Sequence, residues 1–331
     1  MGIKGLTSLI KKESPNSIET VGLYKLENKR VAIDTSIFLY KSLANVRHNG
    51  DYLRNTEGKI VSHIIGLFNK TIQYLSLGIV PIYIFDGKPP VEKQSILDER
   101  NKKATKSKEL SENSSTIEDK QKHEKNSIRI KKYHIDDLKK LFDLMGVSYI
   151  HANGEAEAYA SELCRIGYVD YVVSEDMDTL ASGAPRMIRS CLDRKIKRND
   201  VVSVIDLNKM LEDFNMNMDQ FLDVCILSGC DYCPITIPKV GSVRSFNYIK
   251  TYGTIEKIID SNKCANIPQE FIDNYKISRD LFKIFKDKIN INEIPIHQSE
   301  YIEDNLKDYL KNECSMSEKK ILNAIKKITK I

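Results

Sequence analysis

The chain has no apolar run long enough to cross a bilayer. Its longest mostly apolar stretch, Ile72 to Phe85, is short and carries Pro81. The amino end, Met1-Gly2-Ile3-Lys4-Gly5-Leu6, lacks the apolar core of a secretory signal, and its sixth residue is Leu where a myristoylation site wants Ser or Thr. No framework joins the seven cysteines, so reduced thiols in an intracellular compartment are expected. Cys230 and Cys233 form a C-x-x-C, but zinc would need a second pair, and a buried turn is the better expectation. The six histidines lack ligand spacing. There is no phosphate-binding G-x-x-x-x-G-K-[ST] loop and no G-x-S-x-G nucleophile elbow. Asp34 is followed by Thr35 and Ser36, which removes the D-x-D of a carboxylate-nucleophile phosphatase. No internal repeat is visible.

What is present fits a soluble globular protein of 331 residues, 41% hydrophobic and 29% charged, with a net charge of +5. A mild basic excess suits an anionic partner without naming one. Strands alternate with helices: 30–40 reads as a strand entering a helix, 60–77 as a helix, 79–85 as a strand, 133–145 as a helix, 147–151 as a strand and 169–174 as another. That order predicts a mostly parallel α/β sheet flanked by helices. Beyond about residue 219 the chain reads as mainly helical, ending in two lysine-rich amphipathic stretches over 299–331. Residues 93–132 differ in composition. They carry twelve basic against seven acidic side chains, an excess equal to that of the whole chain, and few apolar ones. A solvated charged linker is one reading; a basic element closing over a phosphodiester backbone is the other, favoured by its place after the strand ending at Asp86.

Seven carboxylates carry the chemistry. Asp34 and Asp86 end apolar strands, where open parallel sheets bind ligands. Asp176 and Asp178 follow the strand at 169–174 and, if extended, face one side. Glu155 and Glu157 head a helix, where capping would be an ordinary use. Asp231 follows the buried run 224–227. Like charges packed together call for a cation, and all-oxygen ligands suit Mg²⁺ or Mn²⁺. Two such ions can activate water against a phosphodiester.

These residues resemble the flap endonucleases, within the structure-specific 5′ nucleases of XPG type. The resemblance rests on Met1-Gly2-Ile3-Lys4-Gly5-Leu6, Ala32-Ile33-Asp34, Phe85-Asp86-Gly87-Lys88-Pro89-Pro90, Glu155-Ala156-Glu157-Ala158, Glu175-Asp176-Met177-Asp178 and the run from Cys225 to Cys233. It implies one nuclease domain over 1–331 with a PIN-like core, a helical arch at 93–132 and a helix–two-turn–helix at 221–250. It implies a two-metal site, with Asp34, Asp86, Glu155 and Glu157 serving one ion and Asp176, Asp178 and Asp231 the other. Lys93 and Arg100 match the residues that contact the scissile phosphate. Gly2, Tyr40, Arg47, Lys70, Lys125, Arg129, Gly241 and Arg244 match DNA-contacting positions. The activity implied is cleavage of a 5′ flap at a single-strand/duplex junction by a nuclear, monomeric enzyme of replication and repair.

The chain departs from the family pattern in three places. Lys239-Val240-Gly241 keeps only the second of two glycines, which bears on duplex grip and on any K⁺ held in that turn. Residues 55–59 carry fewer acids than the family's loop for a 3′ flap. No Q-x-x-[ILM]-x-x-[FY]-[FY] sliding-clamp motif occurs up to Ile331. Competing expectations are a 5′–3′ exonuclease of the same family and a DNA-structure-binding protein without chemistry. The arch is expected to be disordered without DNA.

Overall fold

The apolar segment Arg30–Asp34 forms the central strand of the sheet, with Val31, Ala32 and Ile33 buried on its two faces. A computed structural model describes residues 2–328 except 49, 115, 194, 197, 199 and 265. In chain order its strands are β1 (Ile18–Gly22), β2 (Arg30–Asp34), β3 (Arg47–His48), β4 (Asp51–Tyr52), β5 (Val80–Phe85), β6 (Tyr149–His151), β7 (Tyr171–Val173), β8 (Arg186–Ser190), β9 (Val201–Asp206) and β10 (Ile296–His297). The large sheet runs β1-β9-β8-β7-β2-β5-β6-β10, and β3 with β4 makes a separate hairpin. The five inner strands from β8 to β6 are parallel. The pairings of β1 with β9, β8 with β9, and β10 with β6 are antiparallel. The expected mostly parallel sheet is therefore present, closed at each edge by antiparallel strands.

Parallel strands need crossovers, and helices supply them on both faces. Ser62–Leu75 and Lys132–Met145 cover one face through Leu67, Phe68, Leu138 and Phe142. Ala156–Arg165 covers the other through Ala156, Ala160 and Leu163. A further apolar cluster joins Leu6, Leu9 and Ile10 to Phe214, Phe221, Phe246 and Phe271 beside the sheet. Among the described residues no helix is long and apolar enough to cross a membrane.

The basic insert is helical. It forms two helices, Gln94–Glu112 and Ile117–Asn126, and Ala104 and Ser111 are the buried residues of the first. Lysine and glutamate favour helix, and Thr116 caps the second helix by accepting from Asp119 N–H at 3.2 Å. Local propensity supplies helix where apolar content is low.

Candidate metal centre and active site

The inner strands all end at the same rim of the sheet, and the acids sit there. Asp34 is the last residue of β2 and caps the following helix, accepting from Ser36 N–H at 3.1 Å and Ile37 N–H at 3.4 Å. Its other oxygen accepts from Ser174 Oγ at 3.3 Å. Asp86 follows β5. One of its oxygens accepts from Ala156 N–H at 2.9 Å and the other from the Ser36 hydroxyl. This close seating depends on Gly87. Its N–H donates to Gly154 O at 2.7 Å, and a Cβ there would overlap Ala152 O. Glu155 and Glu157 come from the loop after β6 and the first turn of Ala156–Arg165. Glu155 makes no side-chain cap and both are buried, so surface capping is not their role.

Asp176 and Asp178 follow β7 but are not extended. Asp176 N–H donates to Ser174 Oγ, and Asp178 N–H donates to Asp176 Oδ1, each at 3.1 Å. These bonds bend the chain, and Asp178 opens the short helix Asp178–Ala181. The two carboxylates converge with Glu157 through this bend, with ligand atoms of all three within 4.8 Å of one another. Asp231 joins from the turn after helix Met218–Ser228, where Cys230 and Cys233 pair as a buried, unbridged turn.

The electrostatics are those of crowded anions. Burial, then Asp86, pushes Asp34 up to about 8. Burial, then Glu155, holds Glu157 well above the carboxylate range; burial, then Asp176, does the same to Asp178. Asp176 is also raised, first by burial. Neither carboxylate oxygen of Asp178 has a partner, although both are buried. Gly2 closes this side in a left-handed conformation, φ 77°, and a Cβ on it would overlap Asp176 and Asp178.

The arch brings the counter-charge. Lys93 is 8% exposed; its ammonium contacts Glu155 and lies 3.7 Å from both Glu157 and Asp231. Burial alone would depress it, yet Glu157 and Glu155 hold it well above the usual lysine value. Arg100 donates to Asp231 at 2.6 Å.

The other DNA-contact candidates divide. Tyr40 donates to Lys125 O at 3.2 Å, and Arg47 pairs with Glu124 at 3.0 Å while lying 4.2 Å over Tyr52. Both therefore tether the second arch helix. Arg129 donates to Asn101 O at 2.5 Å, joining the base of the arch, whereas the Lys125 side chain is exposed. Lys70 is half-buried, 4.4 Å over Tyr74, in a cavity of about 770 Å³ shared with Glu175 and Arg189. Gly241 precedes helix Ser242–Tyr252 with open space around it, and Arg244 donates to Lys239 O at 2.8 Å. Lys239 itself adopts φ 63°, the left-handed backbone that a glycine would take, so the lysine follows the glycine's turn at a cost in strain. In the 55–59 loop the buried Asn55 amide donates to Glu313 O at 2.9 Å.

Sequence reasoning missed Ser36, Ser174 and Tyr232, whose hydroxyl donates to Glu155. It also missed Lys41, Ser190 and Arg189 around Glu175. Only Tyr232 carried a signal, its place beside Asp231 in a recognised motif.

Comparison with known proteins agrees with this geometry. The XPG N-terminal domain matches residues 1–108 and the XPG I-region matches residues 146–231. Flap endonuclease 1 of Glycine max is 39% identical, covering 99% of this chain and 86% of the relative. Flap endonuclease 1 of Candida glabrata is 36% identical, covering 100% and 87%. Among solved structures, flap endonuclease-1 from Methanococcus jannaschii matches with a TM-score of 0.69 at 27% identity, covering 94% of this chain and 95% of that one. The catalytic core of Rad2 in complex with DNA substrate matches at 0.73, covering 99% and 100%; at 21% identity it speaks to the fold. With two family regions over more than half of its length and full-length relatives at this identity, the chain belongs to the flap endonuclease family of XPG-type, metal-dependent DNA nucleases.

Proposed function

We infer that this protein is a structure-specific 5′ flap endonuclease, cleaving DNA at single-strand/duplex junctions in replication and repair, in the nucleus by family resemblance. The observation that carries the reading is the gathering of acids beneath two cations of the arch: Asp34, Asp86, Glu155, Glu157, Asp176 and Asp178 follow strands β2, β5, β6 and β7, and Asp231 comes from the turn after helix Met218–Ser228. The donor set fits hard divalent ions. It is all oxygen, it includes the partnerless Asp178 carboxylate, and its crowding raises several pKa values. Asp34, Asp86, Glu155 and Glu157 would hold one Mg²⁺, and Asp176, Asp178 and Asp231 a second, with Mn²⁺ able to substitute. Bound there, such ions supply an activated water and stabilise the leaving oxygen.

The chain's own groups do the rest. Lys93 keeps its proton among the acids and, with Arg100, places fixed positive charge where phosphate charge grows. The Tyr40 ring offers a stacking surface beside the arch, and Lys125 tracks the entering strand. Gly241 and Arg244 grip duplex backbone at the two-turn region, where K⁺ could also sit. Gly2 seals the metal-ligand pocket, and Arg47, Arg129 and Lys70 shape or line the DNA path.

The test is Mg²⁺-dependent cleavage of a labelled 5′-flap duplex beside nicked and blunt duplexes, with products sized. Cutting at the junction is expected. Preference for the nicked or blunt end would move the protein to the exonuclease branch. Binding without cutting at any Mg²⁺ would make it a DNA-structure-binding protein.

A further inference from the structure

Glu155 stands at the cap position of helix Ala156–Arg165 with φ −75° and ψ 136°, but its side chain bonds to none of that helix's N–H groups. Two neighbours hold it. One is Lys93, on the arch; the other is Tyr232, whose hydroxyl donates to Glu155 Oε2. Tyr232 belongs to the opposite side of the cluster, because it directly follows Asp231.

Its own position is well determined. The turn is clamped by reciprocal backbone bonds, Cys230 N–H to Cys233 O at 3.4 Å and Cys233 N–H to Cys230 O at 3.2 Å. The Tyr232 ring is 5% exposed and meets Phe282 edge-to-face, with centroids 4.8 Å apart at 74°. Helix Gln269–Phe282 supports Phe282 from outside the site. The Lys93 ammonium lies 5.7 Å from the Tyr232 ring centroid.

We propose that Tyr232 is a positioning residue: its hydroxyl fixes the Glu155 carboxylate relative to Asp231, and so sets the spacing between the two halves of the carboxylate cluster. The physical reason is a difference in stiffness. Glu155 has a flexible stem, whereas Tyr232 is a rigid ring held by a clamped turn and an aromatic neighbour. A hydrogen bond from that ring transmits the turn's position to the glutamate, as outer partners of metal ligands do. Glu155 and Asp231 are assigned to different ions, so one hydroxyl ties two ligand sets together. The inference rests on the metal-centre reading above.

The experiment is Mn²⁺ binding to the full chain without DNA, followed by electron paramagnetic resonance and calorimetry, comparing wild type with Tyr232→Phe. The variant keeps the ring and its contact with Phe282. The weaker of two Mn²⁺ sites is expected to lose about tenfold in affinity, within the range for lost outer partners. In cleavage, the metal concentration for half-maximal rate should rise by a similar factor, while the rate at saturating metal returns to the wild-type value. Unchanged affinity, or a rate loss that saturating metal does not restore, overturns the proposal. Phe282→Leu keeps the hydroxyl but loosens its support, so it should shift affinity in the same direction by less; no shift there counts against the strut. A wild-type protein that binds no Mn²⁺ would overturn the metal-centre reading itself, and this inference with it.

Discussion

Without divalent cations, the stability of the protein should fall as pH rises through neutrality. Asp34 is pushed up to about 8 by burial and then by Asp86, and burial is the first cause raising Glu157, Asp176 and Asp178. In the unfolded chain these acids titrate near about 4. The native state therefore holds extra protons between those values. A group with a raised folded pKa contributes stability that is complete below its unfolded value and lost as pH climbs through the folded one. Other groups bound the useful window. His134, lowered to about 4 by burial and then by His63, gives the opposite slope, but only up to its ordinary value of 6.5. Lys70, lowered to about 8 by burial and then by Lys41, adds stability only as pH passes that value. Between about pH 6.5 and 7.5 the carboxylate cluster dominates. A net one or two protons would cost on the order of 1–3 kcal/mol across that unit. Urea unfolding in EDTA at several pH values measures it. Mg²⁺ at a hundredfold its dissociation constant should add about 2.7 kcal/mol and remove the downward slope, because metal competes with the protons. Asp178→Asn, which removes a buried partnerless carboxylate, should stabilise the EDTA form and flatten the slope. Stability that is flat or rising over this window in EDTA would refute the reasoning.

Three further outcomes are expected. Asp86→Ala should nearly abolish cleavage of a 5′-flap duplex while leaving binding in a gel-shift assay largely intact; normal cutting would remove Asp86 from the metal set. Lys239→Gly should raise stability by about 0.5–1 kcal/mol in urea unfolding, since glycine takes φ 63° without a Cβ clash; a loss would mean that the lysine side chain contributes more than its strain costs. Arg47→Ala removes the 3.0 Å pair to Glu124 and the Tyr52 contact, so amide exchange across 117–126 should accelerate while Ser62–Leu75 stays protected; unchanged exchange would place the tether elsewhere.

How much of this was legible in the sequence depended on range. Strand ends at Asp34 and Asp86 were readable because apolar runs stop there, and the paired acids because they stand two residues apart. What the acids touch was not readable. Ser36 reaches Asp86 across 50 residues, Tyr232 reaches Glu155 across 77, and Ser174 reaches Asp34 across 140. Periodicity carries no information about such pairings. The geometry of Asp176 and Asp178 was misread because Ser174 and Asp176 capture the next backbone N–H groups and bend a segment assumed straight. In the insert the charged residues are good helix formers, which composition carries, but the contacts of Arg47, Tyr40 and Arg129 with it were not readable.

The parallel order of β7, β2, β5 and β6 has a practical consequence. Every group assigned to chemistry sits on one rim, so the connections entering these strands lie on the other. Strands of three to six residues separate the two rims by roughly 10–20 Å. The turn at Gly167, with open space around it, is one such connection. A fluorophore or surface-attachment tag inserted there would report on the enzyme, or hold it to a support, with the DNA-facing side left clear. The architecture thus offers a handle for single-molecule work at a position remote from the cut.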